Sequence, residues 1–148
     1  MACWGMQQIP LMSAAMTPFP HSVRIDDTLA TAAEMMRELR VRHLPVKEGQ
    51  KLVGVVSERD LGVALAASAG LPAQDELRVR AACRMEGYEV QVNERLDAVL
   101  AEMVERGVGC ALVVKDGRLA GIFTTTDACR SFAKLLRQLF PDGGDSAA

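Results

Sequence analysis

The chain has 148 residues, of which 49% are hydrophobic and 24% charged, which is typical of a globular protein folding as one compact domain or two small repeats. Its formal net charge of −2 disfavours nucleic acid as a partner, because nucleic-acid binding normally requires a basic face. No apolar run approaches the length of a membrane span, and residues 1–12 lack the basic and apolar stretches of a signal peptide. We therefore expect a cytoplasmic protein with no membrane partner.

The sequence contains an internal repeat with an offset of 67 residues and no gap. Nine of the 38 positions from Val23 to Asp60 are identical to the residue 67 positions later. The identical pairs are Val23 with Val90, Leu29 with Leu96, Met36 with Met103, Glu38 with Glu105, Val41 with Val108, Val46 with Val113, Leu52 with Leu119, Gly54 with Gly121 and Asp60 with Asp127. Chance would give roughly two or three, so the pattern indicates two copies of one structural unit.

The first copy predicts elements in the order β-α-β-β-α. Residues 23–25 alternate as a short strand, and Asp26 or Asp27 offers the N-cap of a helix that ends near Arg40. The apolar positions of this helix recur at helical spacing: Leu29, Ala32, Ala33, Met36 and Leu39. The remaining elements are a buried strand at 44–46, a hairpin turn at 48–50, a returning strand at 52–57 and a second helix at 58–67.

The second copy repeats this order. Asn93 is its predicted N-cap, and Gly107 follows the predicted helix as a typical C-terminal residue. The later elements are a strand at 111–114, a turn at 115–117, a strand at 119–124 and a helix at 126–140. The last helix has one apolar face, formed by Phe132, Leu135, Leu136, Leu139 and Phe140.

We expect the two copies to fold as a pair. Each unit has a three-stranded sheet with one bare apolar face, and two units can bury these faces against each other. The predicted divisions are an N-terminal arm at 1–10 anchored by Trp4, a first repeat at 11–69, a linker at 70–74, a second repeat at 75–140 and a disordered tail at 141–148. Short helices are predicted at 12–16 and 75–83.

Several segments resemble a known family. The first copy contains Met16-Thr17-Pro18, Arg42-His43-Leu44-Pro45-Val46 and Gly54-Val55-Val56-Ser57-Glu58-Arg59-Asp60, and the second contains Gly121-Ile122-Phe123-Thr124-Thr125-Thr126-Asp127. This chain is similar to the CBS domain family, whose tandem pair is called a Bateman module, over about residues 11–139. The resemblance implies an α+β fold in which two tandem CBS-type β-α-β-β-α repeats pack about a pseudo-two-fold axis.

The ending that both copies share has a physical interpretation of its own. A strand ends at Ser57 or Thr124 and a helix begins at once, so unpaired N–H groups and a partial positive charge favour a phosphate there. The carboxylate of Asp60 or Asp127, one helical turn further on, can accept the two hydroxyl protons of a ribose diol. The alternative is that Ser-x-x-Asp and Thr-x-x-Asp are only N-terminal capping boxes, and the two roles are compatible.

The resemblance also implies two ligand clefts, each joining the Asp of one copy to the segment that leads into the other. The first cleft would contain Asp127, Thr124, Thr126, Thr17, His21 and Val23, with Arg42 or His43 near the phosphates. The second would contain Asp60, Ser57, the segment 84–90, Gly109 and Cys110, with Arg59 or Arg84 supplying charge.

We expect the first cleft to be the competent one and the second to be weaker. The second copy has Gly109-Cys110 in place of Arg42-His43 and lacks the Met-Thr-Pro segment. The simpler interpretations are that Arg42 is a surface charge, that His43 is a packed residue and that Thr17-Pro18 is a turn.

The resulting hypothesis is a regulatory module rather than an enzyme, since no catalytic motif is present. Its ligand would be an adenine nucleotide (AMP, ADP or ATP) or a related adenosyl compound, and it would signal by conformational change to a separate effector protein. We expect no cofactor and no metal, because no cysteine lies in a C-x-x-C pair. We also expect a homodimer formed through helix faces at 34–39 and 101–104. The alternatives are a structural dimerisation module with empty clefts and, more weakly, nucleic-acid binding by the dimer.

Overall fold

The structure is a computed structural model that describes residues 8–18 and 20–141. Two predictions lie wholly or largely outside the described residues: the anchoring role of Trp4 and the disordered tail at 141–148, of which residue 141 alone is described.

The described residues form two similar series of helices and strands. The first half contains α1 (Met12–Ala15), β1 (Thr17–Pro18), β2 (Val23–Arg24), α2 (Leu29–Leu39), β3 (His43–Glu48), β4 (Lys51–Ser57) and α3 (Glu58–Ala67). The second half contains β5 (Arg84–Met85), β6 (Glu89–Gln91), α4 (Leu96–Arg106), β7 (Cys110–Lys115), β8 (Arg118–Thr124) and α5 (Thr125–Leu139). The order from β2 to α3 recurs from β6 to α5, which confirms the predicted β-α-β-β-α unit.

The first helix of each unit begins later than its predicted cap. Thr28 is the N-cap of α2, and its hydroxyl oxygen accepts the N–H of Thr31 at 3.1 Å. Asp27, one of the two predicted caps, instead accepts a backbone N–H within the preceding turn. Asn93 is also not a cap, because Arg95 holds the N-cap position of α4 and makes no side-chain cap bond. Acidic side chains instead bond within the turns that precede the helices, Asp27 before α2 and Glu94 before α4.

Each sheet has four strands, and the fourth strand comes from the other half of the chain. The first sheet has the order β2-β3-β4-β5, and the second has the order β1-β8-β7-β6. In the first sheet Arg84 of β5 lies opposite Val55, and in the second Thr17 of β1 lies opposite Ile122. The predicted three-stranded sheet is therefore wrong, because the two-residue strands β1 and β5, here called the leading strands, cover edges that would otherwise be unpaired.

Two apolar cores lie under the helices, and a third cluster lies between the sheets. The third cluster places Cys110, Leu112 and Ile122 of the second repeat against Leu52 and Val55 of the first. The first core contains Val23, Ile25, Leu29, Ala32, Met36, Leu44, Val46, Val56, Leu61 and Val79, and the second contains Met12, Val90, Val99, Met103, Ala111, Val113 and Phe123. The two repeats thus bury their bare sheet faces against each other about a pseudo-two-fold axis, as predicted.

The segment 75–83 is not the predicted helix. It forms two short 3₁₀ turns, Gln74–Glu76 and Val79–Ala81, separated by an extended Arg78. Val79 is fully buried in the first core, and its N–H donates to the carbonyl of Asp27 at 2.8 Å. These bonds to the first repeat prevent a continuous helix.

The last helix packs less closely than its counterpart. Leu61, Ala64 and Leu65 of α3 contact the first core, whereas Ala128 is the residue of α5 that contacts the second. Five large apolar side chains on and just after α5 remain between 40% and 65% exposed: Phe132, Leu135, Leu136, Leu139 and Phe140. This apolar face of α5 has no partner within the described chain. None of the helices of the described residues has both the length and the apolar character needed to cross a membrane.

Candidate functional site

A serine or threonine ends the inner strand of each sheet and caps the helix that follows. In the first repeat, Ser57 accepts the N–H of Asp60 at 3.1 Å, and Asp60 Oδ2 accepts the N–H of Ser57 at 3.2 Å and its hydroxyl at 2.7 Å. In the second repeat, Thr124 and Asp127 make the same three bonds at 3.3, 2.9 and 3.0 Å. Both capping boxes are complete, and each uses one carboxylate oxygen.

An arginine contacts the other oxygen of each carboxylate, but the two arginines come from different places. Arg84 of the leading strand β5 donates from Nε to Asp60 Oδ1 at 3.2 Å, so this bond links the two repeats. Arg130 donates from Nη1 to Asp127 Oδ1 at 3.1 Å from one turn along the same helix. The Asp60 and Asp127 side chains are only 15% and 19% exposed.

The pKa of Asp60 lies below its usual value. Partial burial alone would raise this pKa, but the two hydrogen bonds from Ser57 and the charge and hydrogen bond of Arg84 outweigh that effect. The carboxylate is therefore ionised at neutral pH and is ready to accept hydrogen bonds.

A cleft of about 480 Å³ opens between the two repeats beside Asp60. The first repeat contributes Arg42, His43, Val55, Ser57, Glu58, Arg59 and Asp60 to its walls, and the second contributes Arg84, Met85, Glu86, Gly87, Tyr88, Arg106, Gly107, Val108, Gly109 and Cys110. The structure thus brings together the residues predicted for the second cleft, including most of the segment 84–90. The cleft combines guanidinium groups, an ionised carboxylate and an apolar wall.

Arg42 and His43 line this cleft, whereas the family resemblance implied a place for them near Asp127. The antiparallel pairing of β3 with β4 places His43 opposite Ser57. The Arg42 carbonyl also accepts the N–H of Glu58 at 2.8 Å. The start of β3 therefore lies beside the end of β4, and the side chains of Arg42 and His43 line the Asp60 cleft.

The same pairing in the second repeat places Gly109 and Cys110 beside Thr124. Cys110 lies opposite Thr124, and the N–H of Thr125 donates to the Gly109 carbonyl at 3.0 Å. Gly109 also approaches His43, since a Cβ on this glycine would lie 3.5 Å from the imidazole Nε2. The two equivalent loops therefore meet between the repeats.

Burial shifts the pKa of two further groups near the cleft. Half-burial lowers the pKa of His43; the charge of Asp60 opposes this shift, and the charges of Arg42 and Arg84 add to it. Burial, with the negative charge of Asp127, raises the pKa of Cys110 to about 12. His43 is therefore mainly a neutral imidazole at pH 7, and the Cys110 thiol is protonated.

The other predicted site residues do not line the Asp60 cleft. Thr17 is exposed on β1, His21 is exposed between β1 and β2, and Thr126 is exposed in the first turn of α5. Val23 is only 1% exposed and packs in the first core, so its side chain is not available to a ligand. In the first sheet Val23 lies opposite Val46 of β3.

The cleft also contains Arg106, which the sequence did not indicate, beside Tyr88 of the predicted segment 84–90. The guanidinium of Arg106 lies over the Tyr88 ring, 4.4 Å from its centroid. Tyr88 lies in the segment expected to face Asp60, and as the one tyrosine of the sequence it was a visible candidate. No pattern in the sequence indicated Arg106, because this residue is the last of α4 in the second repeat.

A smaller depression of about 380 Å³ lies beside the hairpin of the first repeat, away from the contact between repeats. Charged groups dominate it, and Arg80 bridges Asp26 at 3.4 Å and Glu48 at 3.6 Å beside it. Across the described part of the chain, no three His, Cys, Asp or Glu side chains gather as a metal site would require.

Comparison with known proteins gives one family and several similar structures. The CBS domain model matches residues 12–66 and 89–134. A Vibrio cholerae protein whose name associates it with acetoin utilization is 27% identical, with a TM-score of 0.79 over 91% of this chain and 98% of that one.

Two further similar structures hold ligands, and each is 25% identical over 86% of this chain and 99% of its own. The CBS domain pair of protein MJ0100, with a TM-score of 0.75, is in complex with 5′-methylthioadenosine and S-adenosyl-L-methionine. CBSX2, with a TM-score of 0.73, is in complex with AMP.

Proposed function

The chain belongs to the CBS domain family, and from that premise we propose that it is a regulatory module that binds an adenine nucleotide between its two repeats. The observation that carries this proposal is the Asp60 cleft, where a helix N-terminus, a carboxylate and several arginines meet in a space bounded by both repeats. The ligands in MJ0100 and CBSX2 all contain adenosine, which supports the same ligand class here. We propose no catalytic activity.

Each part of a nucleotide has a matching set of groups in this cleft. Asp60 Oδ1 is the carboxylate oxygen outside the capping box, so it would accept the ribose hydroxyls. Arg42 and Arg59 would attract phosphate at the N-terminus of α3, where the helix dipole adds a partial positive charge. Val55, Met85 and Val108 would form an apolar wall for the adenine ring. This assignment makes the Asp60 cleft the principal site, in place of the Asp127 site expected from the sequence.

Binding would alter how the repeats sit together. A ligand that contacts both repeats stabilises the arrangement that fits it, by its difference in affinity between the two arrangements. We propose that an effector protein responds to that difference. We also propose a cytoplasmic location, because Cys83, Cys110 and Cys129 are free thiols, as expected in a reducing compartment.

Self-association forms a second part of the proposal, and the exposed face of α5 supports it. Phe132, Leu135 and Leu139 have the 3-4 spacing of a helix pair, and Arg130 and Lys134 lie on the opposite side. The exposed apolar side chains amount to roughly 500 Å² per copy, at the upper end for a monomer surface. Two copies would bury at most about 1,000 Å² of this apolar surface, which is the lower limit for a specific interface. We therefore place the homodimer contact on α5, in addition to the helix faces at 34–39 and 101–104.

A thermal-shift experiment tests the ligand proposal. The panel contains AMP, ADP, ATP, S-adenosylmethionine and 5′-methylthioadenosine, and a ligand at 100 times its Kd should raise the melting temperature by roughly 5–10 °C. Asp60→Asn should abolish the shift, and Asp127→Asn should keep it. Asp116→Asn, the same chemical change in an exposed hairpin turn, is the matched control.

Two results would contradict the proposal. If Asp127→Asn abolishes the shift and Asp60→Asn keeps it, the nucleotide binds in the other cleft. If no compound shifts the wild-type protein while sedimentation shows a dimer, the chain is the structural dimerisation module that is the alternative. Retardation of DNA or RNA at low salt would favour the nucleic-acid alternative.

A further inference from the structure

We propose that Arg84 determines the preference of the Asp60 cleft for phosphorylated ligands. In the free protein its guanidinium occupies the carboxylate oxygen that a ribose would need, and after displacement it can pair with a phosphate. The inference rests on the proposed function, because it assigns the ligand class of that same site.

The first step is the competition for Asp60. Oδ2 is held by the backbone and hydroxyl of Ser57, so Oδ1 is the oxygen left for a ligand. Arg84 Nε lies 3.2 Å from that oxygen. Oδ1 has two acceptor positions and Arg84 occupies one of them, so a ribose diol that donates both hydroxyls to Oδ1 must displace Arg84 and break a bond between the repeats.

The second step is the freedom of Arg84 to move. Its side chain is 66% exposed, whereas the Asp60 side chain is 15% exposed. The backbone of Arg84 is fixed opposite Val55 in the first sheet, so only the outer part of the side chain can swing. Displacement thus moves a guanidinium within the cleft and does not remove it.

The third step is the difference between ligands. An uncharged nucleoside breaks the ion pair between Arg84 and Asp60 and provides no anion with which Arg84 can pair. A nucleotide provides a phosphate, which forms charge-assisted bonds with a guanidinium. Arg84 therefore penalises adenosine and favours AMP at the same site.

The second repeat provides a matched control. Arg130 contacts Asp127 Oδ1 at 3.1 Å, but it lies three residues along the same helix, so this bond does not link the two repeats. Removing Arg130 leaves the Asp60 cleft unchanged.

The experiment measures Kd for adenosine and for AMP by NMR titration of the full chain. The variants are Arg84→Met, Arg84→Lys and the control Arg130→Met, with Asp60→Asn to locate the site. An exposed ion pair is worth a factor of up to about five, so Arg84→Met should strengthen adenosine binding and weaken AMP binding by a few-fold each. In Arg84→Met the ratio of the adenosine Kd to the AMP Kd should therefore fall about ten-fold. Arg84→Lys should restore part of this ratio, and Arg130→Met should leave it at the wild-type value.

The outcomes separate this inference from the proposed function. If the wild-type protein binds AMP through Asp60 but Arg84→Met leaves the ratio unchanged, or weakens both ligands equally, the inference is wrong and the proposed function stands. If the wild-type protein binds neither adenosine nor AMP, the inference is wrong, and the thermal-shift panel with ADP, ATP, S-adenosylmethionine and 5′-methylthioadenosine decides whether the proposed function stands. Thermal unfolding of each variant checks that it is folded.

Discussion

Replacing Gly54 by alanine should destabilise the protein, because this glycine lies where β5 crosses β4. A Cβ at this position would overlap the carbonyl oxygen of Arg84 and would lie 2.8 Å from Cys83 Sγ. Backbone cannot move aside as a flexible side chain can, so β5 must shift outward. Overpacking of this kind costs about 1–3 kcal/mol, which corresponds to a fall in melting temperature of roughly 5 °C for a chain of this length.

Alanine substitutions at two other glycines provide a comparison for the effect of Gly54→Ala on stability. Gly121→Ala meets mainly the flexible side chain of Met16, with the nearest backbone atom, Thr17 O, at 2.9 Å, so its cost should be smaller. Gly62→Ala on α3 meets no atom within 4 Å and should stabilise the protein by up to about 1 kcal/mol, as alanine favours a helix. Urea unfolding measures all three. Equal stability of Gly54→Ala and Gly62→Ala would refute the exchange of leading strands.

Three further predictions concern a cap, a histidine and the last helix. Ser57→Ala removes the cap of α3 and should reduce the free energy of unfolding by about 1 kcal/mol in urea titrations; an unchanged midpoint would show that the cap is not formed. Burial holds the pKa of His43 below its usual value, so the unfolded chain binds more protons as the pH falls and the free energy of unfolding should decrease from pH 7.5 to 5.5. His43→Asn should reduce this decrease, whereas the same change at the exposed His21 should not. Equal pH profiles for the His43→Asn and wild-type proteins would contradict the burial of His43. Leu139→Glu should dissociate the dimer in sedimentation velocity, whereas Lys134→Glu on the opposite side should not; a monomeric wild type would remove this interface.

The repeat and its elements could be predicted from the sequence because they depend on local, periodic patterns. Leu29, Ala32 and Met36 recur at helical spacing, and all three are buried in the first core. The duplicated Gly54 and Gly121 also gain an explanation, since a leading strand crosses close to each of them. The capping function of Ser57 and Thr124 was equally visible, because a cap depends only on residues three positions apart.

The leading strands could not be predicted, because two residues carry no periodicity. Arg84 and Thr17 are placed by pairing with a distant strand, and nothing local distinguishes them from loop residues. Arg42 and His43 were a different case, since the hairpin register already placed them beside Ser57. The family resemblance predicts these two residues beside Asp127, whereas the pairing of neighbouring strands places them beside Ser57.

A crystal structure of the protein with AMP tests the central claim most directly. We predict the ribose hydroxyls on Asp60 Oδ1, the phosphate among the guanidinium groups of Arg42, Arg59 and Arg84, and the bond from Arg84 to Asp60 broken. AMP bound at Asp127 instead, or an unoccupied Asp60 cleft at saturating AMP, would contradict the account.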